Sequence, residues 1–196
     1  WRIGASFLPG KNRNVEQVLS DVSMYELNLS STTVLEKGCL YLVKLNETLN
    51  LDSKTYGSAN AKSSSGRIDL FIRLLSDYSD EFDNIKAGYG GNLYAEIQPK
   101  SFSVGVKKGL SLNQIRFKKG HVKVLDSELY KLQHLYSLVD TNPDINDGLG
   151  FSISLKSFDK GVIGYKARAN APAINLSKIG YYEPLDYWEE IRTDTA

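Results

Sequence analysis

Six consecutive residues, Lys62-Ser63-Ser64-Ser65-Gly66-Arg67, bring two cations, three hydroxyls and a glycine together. Backbone amides beside serine and glycine form an anion-binding concavity. The flanking cations add charge-assisted contacts, Arg67 through a bidentate fork. That is the chemistry a polyanion such as a nucleoside triphosphate needs. The spacing is not that of the Gly-x-x-x-x-Gly-Lys-Ser/Thr phosphate loop. Further along, Leu93-Tyr94-Ala95-Glu96-Ile97-Gln98 alternates like a strand and sets one carboxylate on a regular element. If the Glu96 face points into a cleft, burial disfavours the charged carboxylate and poises it to exchange protons near neutrality, as a general base must. An anion cradle and one rigidly held base point to chemistry on a phosphorylated small molecule. A polar surface loop and a solvated strand glutamate are the plain alternatives, and these residues alone leave them open.

Other chemistries find less support. Zinc-dependent base deamination uses a His-x-Glu and Cys-x-x-Cys pattern. Here there is one cysteine, and the two histidines, His121 and His134, have no second ligand near them in sequence, so no zinc site is expected. Nothing local suggests a Ser-His-Asp triad. Arg116, Lys118, Lys119, His121 and Lys123 surround Gly120 and read as a solvated hairpin, with phosphate or subunit contact as alternatives. Gln114, just before them, could offer a neutral amide to a nucleotide.

The elements that must position these groups follow from pattern. The chain has 196 residues, 41% of them hydrophobic, enough for one domain with a real core. Lys+Arg is 24 and Asp+Glu is 23, a net charge of +1 that argues against nucleic acid or an anionic membrane as partner. There is neither a run of about 18 apolar residues nor a signal-peptide pattern, and a cytoplasmic location is expected. Asn14 caps a short helix over 14–20 with Val15, Val18 and Leu19 on one face. From about residue 33 to 120 the pattern is mostly strand. Gly38–Leu45 reads as a buried strand that makes Cys39 a small core thiol. Phe102, Val104 and Val106 alternate, and turns fall at 88–92 and 107–109. Asp126 caps a helix to about Leu138 with Leu129, Leu132 and Leu135 at helical spacing. A polar loop follows over 140–148, then strand alternation at Phe151, Ile153 and Leu155, and finally a helix over 184–191. Short strands with regular turns predict a mainly β barrel or jelly-roll-like sandwich with peripheral helices. Tyr89, Tyr94, Tyr181, Tyr182, Tyr187 and Trp188 hint at an interface core, with an intramolecular core equally open.

Lys62–Arg67 followed by Gly90-Gly91-Asn92-Leu93-Tyr94-Ala95-Glu96 resembles the dCTP deaminases of the trimeric dUTPase-like superfamily. Ala5–Gly10, Val34–Cys39, Leu112–Phe117 and Asp186–Glu189 look like the long, two-part form found in alphaproteobacteria. The resemblance implies a single dUTPase-like distorted β-barrel over 1–196, the N-terminal half of a longer protein with a segment before Trp1 and a second domain after Ala196. It implies metal-independent deamination of dCTP to dUTP and ammonia. Glu96 would be the general base, Ser63 would hold the water and Arg67 would stabilise developing charge. Lys62, Ser64, Ser65 and Gly66 would bind phosphate. Asp83 would meet the deoxyribose 3′-hydroxyl, and Tyr94 and Ala95 would read the base through their backbone. Gln114 joins the nucleotide site, and Tyr165, Lys166 and Arg168 would form a lid over the triphosphate, which arrives with Mg²⁺. A trimer or pseudo-trimer with shared sites and possible feedback inhibition by dTTP belong to the same expectation. The alternatives are dUTP diphosphatase activity through Asp83, alone or beside deamination, and a non-catalytic nucleotide-binding domain.

Overall fold

A computed structural model describes residues 1–120, 124–156 and 161–193. Along the chain run β1 (Arg2–Ile3), α1 (Val15–Val22), β2 (Ser23–Tyr25), β3 (Thr33–Leu35), β4 (Leu40–Asn50), β5 (Thr55–Ala61), α2 (Ser63–Gly66), β6 (Leu70–Ser76), β7 (Asn84–Ile85), β8 (Gly90–Pro99), β9 (Val104–Val106) and β10 (Asn113–Lys119). Then follow α3 (Asp126–Tyr136), β11 (Asp144–Ile145), β12 (Leu149–Gly150), β13 (Val162–Ala167), β14 (Ile174–Asn175), α4 (Pro184–Tyr187) and β15 (Trp188–Arg192). The architecture is mainly β, as the alternation predicted. The chain divides into two compact units, Trp1–Lys119 with Tyr165–Glu190, and Gly120–Gly164 with Ile191–Ala196.

The first unit is built on a five-stranded sheet in the order β2-β1-β4-β8-β6, with β8 antiparallel to β4 and β6. Registers Leu42↔Glu96, Arg73↔Glu96 and Leu75↔Tyr94 put these residues on one face. Val43, Ala95, Leu74 and Ile97 take the other. Both faces are covered at the middle of β8, where Leu93, Tyr94, Ala95, Glu96 and Ile97 are all buried. On the first face Ile3, Val15, Leu19, Leu42, Leu75 and Tyr94 form a core. On the second, Tyr41, Ile72, Ala95, Ile97, Val104 and Val106 form another. Smaller sheets, β10-β5-β7 and β14-β9-β3, complete the unit.

α1 forms where its cap predicts. The Asn14 side chain accepts from Gln17 N at 2.8 Å, and Gln17 Oε1 accepts from Asn14 N at 2.9 Å, a reciprocal capping box. Val15, Val18 and Leu19 are buried. β4 runs five residues past the expected Leu45, because pairing with β8 resumes at Thr48↔Asn92 after an irregularity. Cys39 precedes this strand and is half-buried at the edge of the core it packs against, its Sγ donating to Glu36 Oε2 at 3.8 Å. The last helix stops at Tyr187, short of the expected Ile191. Trp188 instead starts β15 and meets Phe102 edge-on at 5.0 Å, while Tyr187 meets the same ring at 5.5 Å. Tyr182 joins Tyr187 at 5.4 Å, and Tyr94 and Tyr187 are buried, so most of the terminal aromatics build an intramolecular core.

In the second unit α3 begins at Asp126, with Leu125 rather than Asp126 in the capping position. The Asp126 carboxylate instead accepts from the amides of Asp147 and Gly148 at 2.9 and 3.3 Å. No α3 residue is buried, and Leu135 is 69% exposed. No strand forms over Phe151, Ile153 and Leu155, which are 75–88% exposed. Alternation supplies a strand with a face but not with a ladder partner. His121 and Lys123, the end of the basic run, lie outside the described residues. Among the described residues no helix is long and apolar enough to cross a membrane.

Candidate active site

Glu96 sits at the centre of β8 and is 1% exposed. A buried carboxylate needs a cation and donors. The cation is Arg73, directly opposite on β6: its Nε and Nη2 donate to Glu96 Oε1 at 3.2 and 2.5 Å. Arg73 Nη2 also donates to Ser6 Oγ at 2.7 Å. The guanidinium lies over the Phe82 ring, 3.7 Å from its centroid, with Phe71 at 5.1 Å. Glu96 Oε2 is buried and, among the described residues, has no hydrogen-bond partner. One oxygen of the carboxylate is clamped and the other is left without a partner among the described residues. The solvated-glutamate alternative is therefore excluded.

Sequence reading missed Arg73, Ser6 and Phe82 as part of this site. A signal for Arg73 was present: it is the one cation inside the apolar run Leu70-Phe71-Ile72-Arg73-Leu74-Leu75. A charge in the middle of an apolar strand calls for a partner to pair with it. Ser6 and Phe82 come from loops, and only the folded chain brings them there.

Lys62–Arg67 is one helical turn rather than an open loop. Lys62 occupies the position before it, and the amides of Ser65 and Gly66 donate to the Lys62 carbonyl. Lys62 N is tied to the Leu112 carbonyl at 2.9 Å, which anchors the turn beside the start of β10. Ser63, Ser64, Gly66 and Arg67 are exposed. Ser65 is 3% exposed and its hydroxyl points to the Leu112 carbonyl at 3.5 Å, which ties the turn to the segment before β10. Ala61 and Ile68, which flank the turn, pack into the core on the face of the sheet opposite Glu96. Within one chain Glu96 and the 62–67 turn are thus not brought together.

The remaining expected residues divide. Tyr94 and Ala95 are each 1% exposed and paired to both β4 and β6, so the backbone expected to read a base is engaged in the sheet. The Tyr94 hydroxyl donates to Glu16 Oε1 at 3.2 Å. Burial, with the Asp77 and Glu16 carboxylates nearby, pushes that hydroxyl up from its ordinary value. Asp83 adopts φ 60°, its Oδ1 accepts from Leu74 N at 2.8 Å and its carbonyl accepts from Ala59 N, which stitches β5 to β6. Burial pushes its carboxyl up. The expected contact to a sugar hydroxyl finds one oxygen of that carboxylate already engaged. Gln114 is exposed on β10, opposite Asn60, at a groove of about 1030 Å³ that neither Glu96 nor the 62–67 turn lines. Tyr165, Lys166 and Arg168 lie on and just after β13, and two of the three already have partners. Lys166 pairs with Glu189 at 2.8 Å, and Arg168 Nε donates to the Leu185 carbonyl at 2.9 Å. Tyr165 is half-exposed.

Comparison with known proteins matches this architecture to one family. Residues 1–121 match the family model described as the 2'-deoxycytidine 5'-triphosphate deaminase (DCD) N-terminal domain, and residues 125–196 match the corresponding C-terminal domain. No curated protein matches the chain. Among solved structures, the crystal structure of 2'-deoxycytidine 5'-triphosphate deaminase from Agrobacterium tumefaciens is 41% identical with a TM-score of 0.87. The match covers 98% of this chain and 58% of that one, so this chain spans little more than half the length of that relative. With two family models together spanning nearly every residue and a relative of the same fold, the chain belongs to the 2'-deoxycytidine 5'-triphosphate deaminase family.

Proposed function

We propose that the protein deaminates dCTP to dUTP and ammonia, with Glu96 moving the protons. The observation that carries this is the asymmetric carboxylate: Oε1 held by Arg73, Oε2 buried without a partner. In this reading Oε2 takes a proton from a water as its oxygen bonds to cytosine C4. That proton passes to ring nitrogen N3. The hydroxyl left on C4 then gives its proton to the departing amino group, which leaves as ammonia while C4 becomes a carbonyl. Ser63 holds the water, Arg67 offsets charge as the tetrahedral centre forms, and Lys62 with Ser64 binds phosphate. The nucleotide enters with Mg²⁺ held by its own phosphate oxygens and water, and dTTP would inhibit by resembling the product. A cytoplasmic setting belongs to the same proposal.

A symmetric trimer or pseudo-trimer completes the site. Glu96 and the 62–67 turn occupy opposite faces of one sheet. A second copy presenting its turn to the Glu96 face would supply Ser63 and Arg67 in trans, as closed symmetry permits. The test measures ammonia release from dCTP by the full-length protein, with chelator added to remove zinc, beside Glu96→Gln and an equimolar mixture of Glu96→Gln with Arg67→Ala. The proposal expects wild-type turnover with chelator, loss in each variant and partial recovery in the mixture. Turnover that survives Glu96→Gln, or vanishes with zinc, overturns it.

A further inference from the structure

We propose that Arg73 is the positioning residue of the base. It fixes which carboxylate oxygen of Glu96 reacts, and it is itself aimed by Ser6 and Phe82. This rests on the deaminase reading. Both guanidinium contacts, from Nε and Nη2, fall on the same oxygen, Oε1. A carboxylate free to rotate about its last bond would present either oxygen. With Oε1 occupied, the proton-transfer atom is Oε2. The guanidinium is in turn prevented from swinging. Nη2 is shared with Ser6 Oγ, and the plane rests on Phe82. Three segments far apart in sequence therefore converge on one arginine: the loop after β1, the centre of β6 and the loop before β7.

The arrangement needs arginine rather than a generic cation. A lysine ammonium is a compact point charge without a planar fork, and it stacks less well on a ring. It would leave the carboxylate paired but free to turn. The side chain of Arg73 is 26% exposed, so it reaches from solvent to a carboxylate that is 1% exposed. It is placed to hold the base and not to neutralise a triphosphate, the task assigned to the 62–67 turn.

The experiment measures kcat and KM for dCTP in the full-length protein, for wild type, Arg73→Lys, Arg73→Gln, Arg73→Ala, Ser6→Ala and Phe82→Leu. Misplacing a reacting group by about 1 Å costs roughly 10²-fold. Arg73→Gln is expected to lose about that much in kcat, with KM within about threefold. Arg73→Lys should lose at least tenfold despite keeping its charge. Sub-denaturing guanidinium should restore part of the kcat of Arg73→Ala and nothing to Glu96→Gln. Ser6→Ala and Phe82→Leu should lose less than Arg73→Gln, again in kcat. Full kcat in Arg73→Gln, or a loss confined to KM, overturns the assignment, the second by making Arg73 a substrate contact. If wild type turns over no dCTP, the deaminase reading fails by itself. A urea double-mutant cycle between Arg73→Gln and Glu96→Gln then decides the pair: coupling of about tenfold in the folding equilibrium supports the clamp, and additivity rejects it.

Discussion

Replacing Glu96 by glutamine separates the chemistry of the site from its contribution to the fold. Glutamine has the same shape and keeps an acceptor at Oε1, so both Arg73 contacts persist in outline. They lose charge assistance. Hydrogen bonds to charged groups contribute about 1.5–3 kcal/mol and neutral ones about 0.5–1.5, so two bonds forfeit roughly 2 kcal/mol. The Oε2 position becomes an amide nitrogen whose protons have no partner, a further cost of about 1–3 kcal/mol. Against this, the fold no longer buries a carboxylate, whose desolvation costs several kcal/mol before pairing, and part of Arg73 faces solvent, which screens its lost partner. The net destabilisation is expected at about 1–3 kcal/mol. For a chain of this size each kcal/mol lowers Tm by about 2–4 °C. Turnover should fall far more, about 10²–10⁴-fold, because amide cannot accept the proton. Ammonia release and thermal unfolding on the same preparation give the two readouts. Turnover within tenfold of wild type would refute Glu96 as the base. A Tm loss beyond about 15 °C would show that the carboxylate serves the fold first, and the energy comparison above would be wrong.

Other outcomes follow from single residues. Burial holds the Asp83 proton to higher pH in the folded chain than in the unfolded one. Its neutral form therefore contributes stability at acid pH that is lost as pH rises through the folded value. Asp83→Asn keeps the acceptor for Leu74 N and should flatten the fall of the urea midpoint as pH rises above the ordinary aspartate range, without lowering it at pH 7; a midpoint that falls at pH 7 refutes this. Asn14→Ala removes one arm of the capping box and should cost about 1 kcal/mol by chemical denaturation, while Gln17→Ala should cost less. Gly91→Ala would set a methyl 2.9 Å from Tyr89 Oη, whose hydroxyl donates to the Asn92 carbonyl. It should lower Tm, and Tyr89→Phe should relieve part of the penalty.

What could be read in advance was local. Asn14 and Gln17 lie within one helical turn, and their cap needs nothing else. The period-two pattern of 93–98 gave a strand, and Lys62–Arg67 gave a cluster of donors. The buried state of Glu96 could not be read, because it depends on two strands that pair with β8 from opposite sides, one about fifty residues upstream. The same holds for Ser65: its neighbours in sequence are exposed, and only the approach of Leu112 turns it inward. The resemblance supplied residue roles and an expectation of shared sites, but not the clamp of Arg73, Ser6 and Phe82 around Glu96. At Phe151, Ile153 and Leu155 the rule misled for the opposite reason. Side-chain alternation is local, whereas a strand exists only through backbone pairing contributed by something else.

That segment has a practical consequence. Phe151-Ser152-Ile153-Ser154-Leu155 holds no charge and no proline, and its three large apolar side chains face water. Such a stretch is a template for stacking between molecules into cross-β ribbons. Lys156 bounds it on one side as a charged gatekeeper, while Gly148-Leu149-Gly150 offers no such brake on the other. A preparation of these residues should turn cloudy with concentration well before it unfolds, and a charge written at Ile153 should keep it clear.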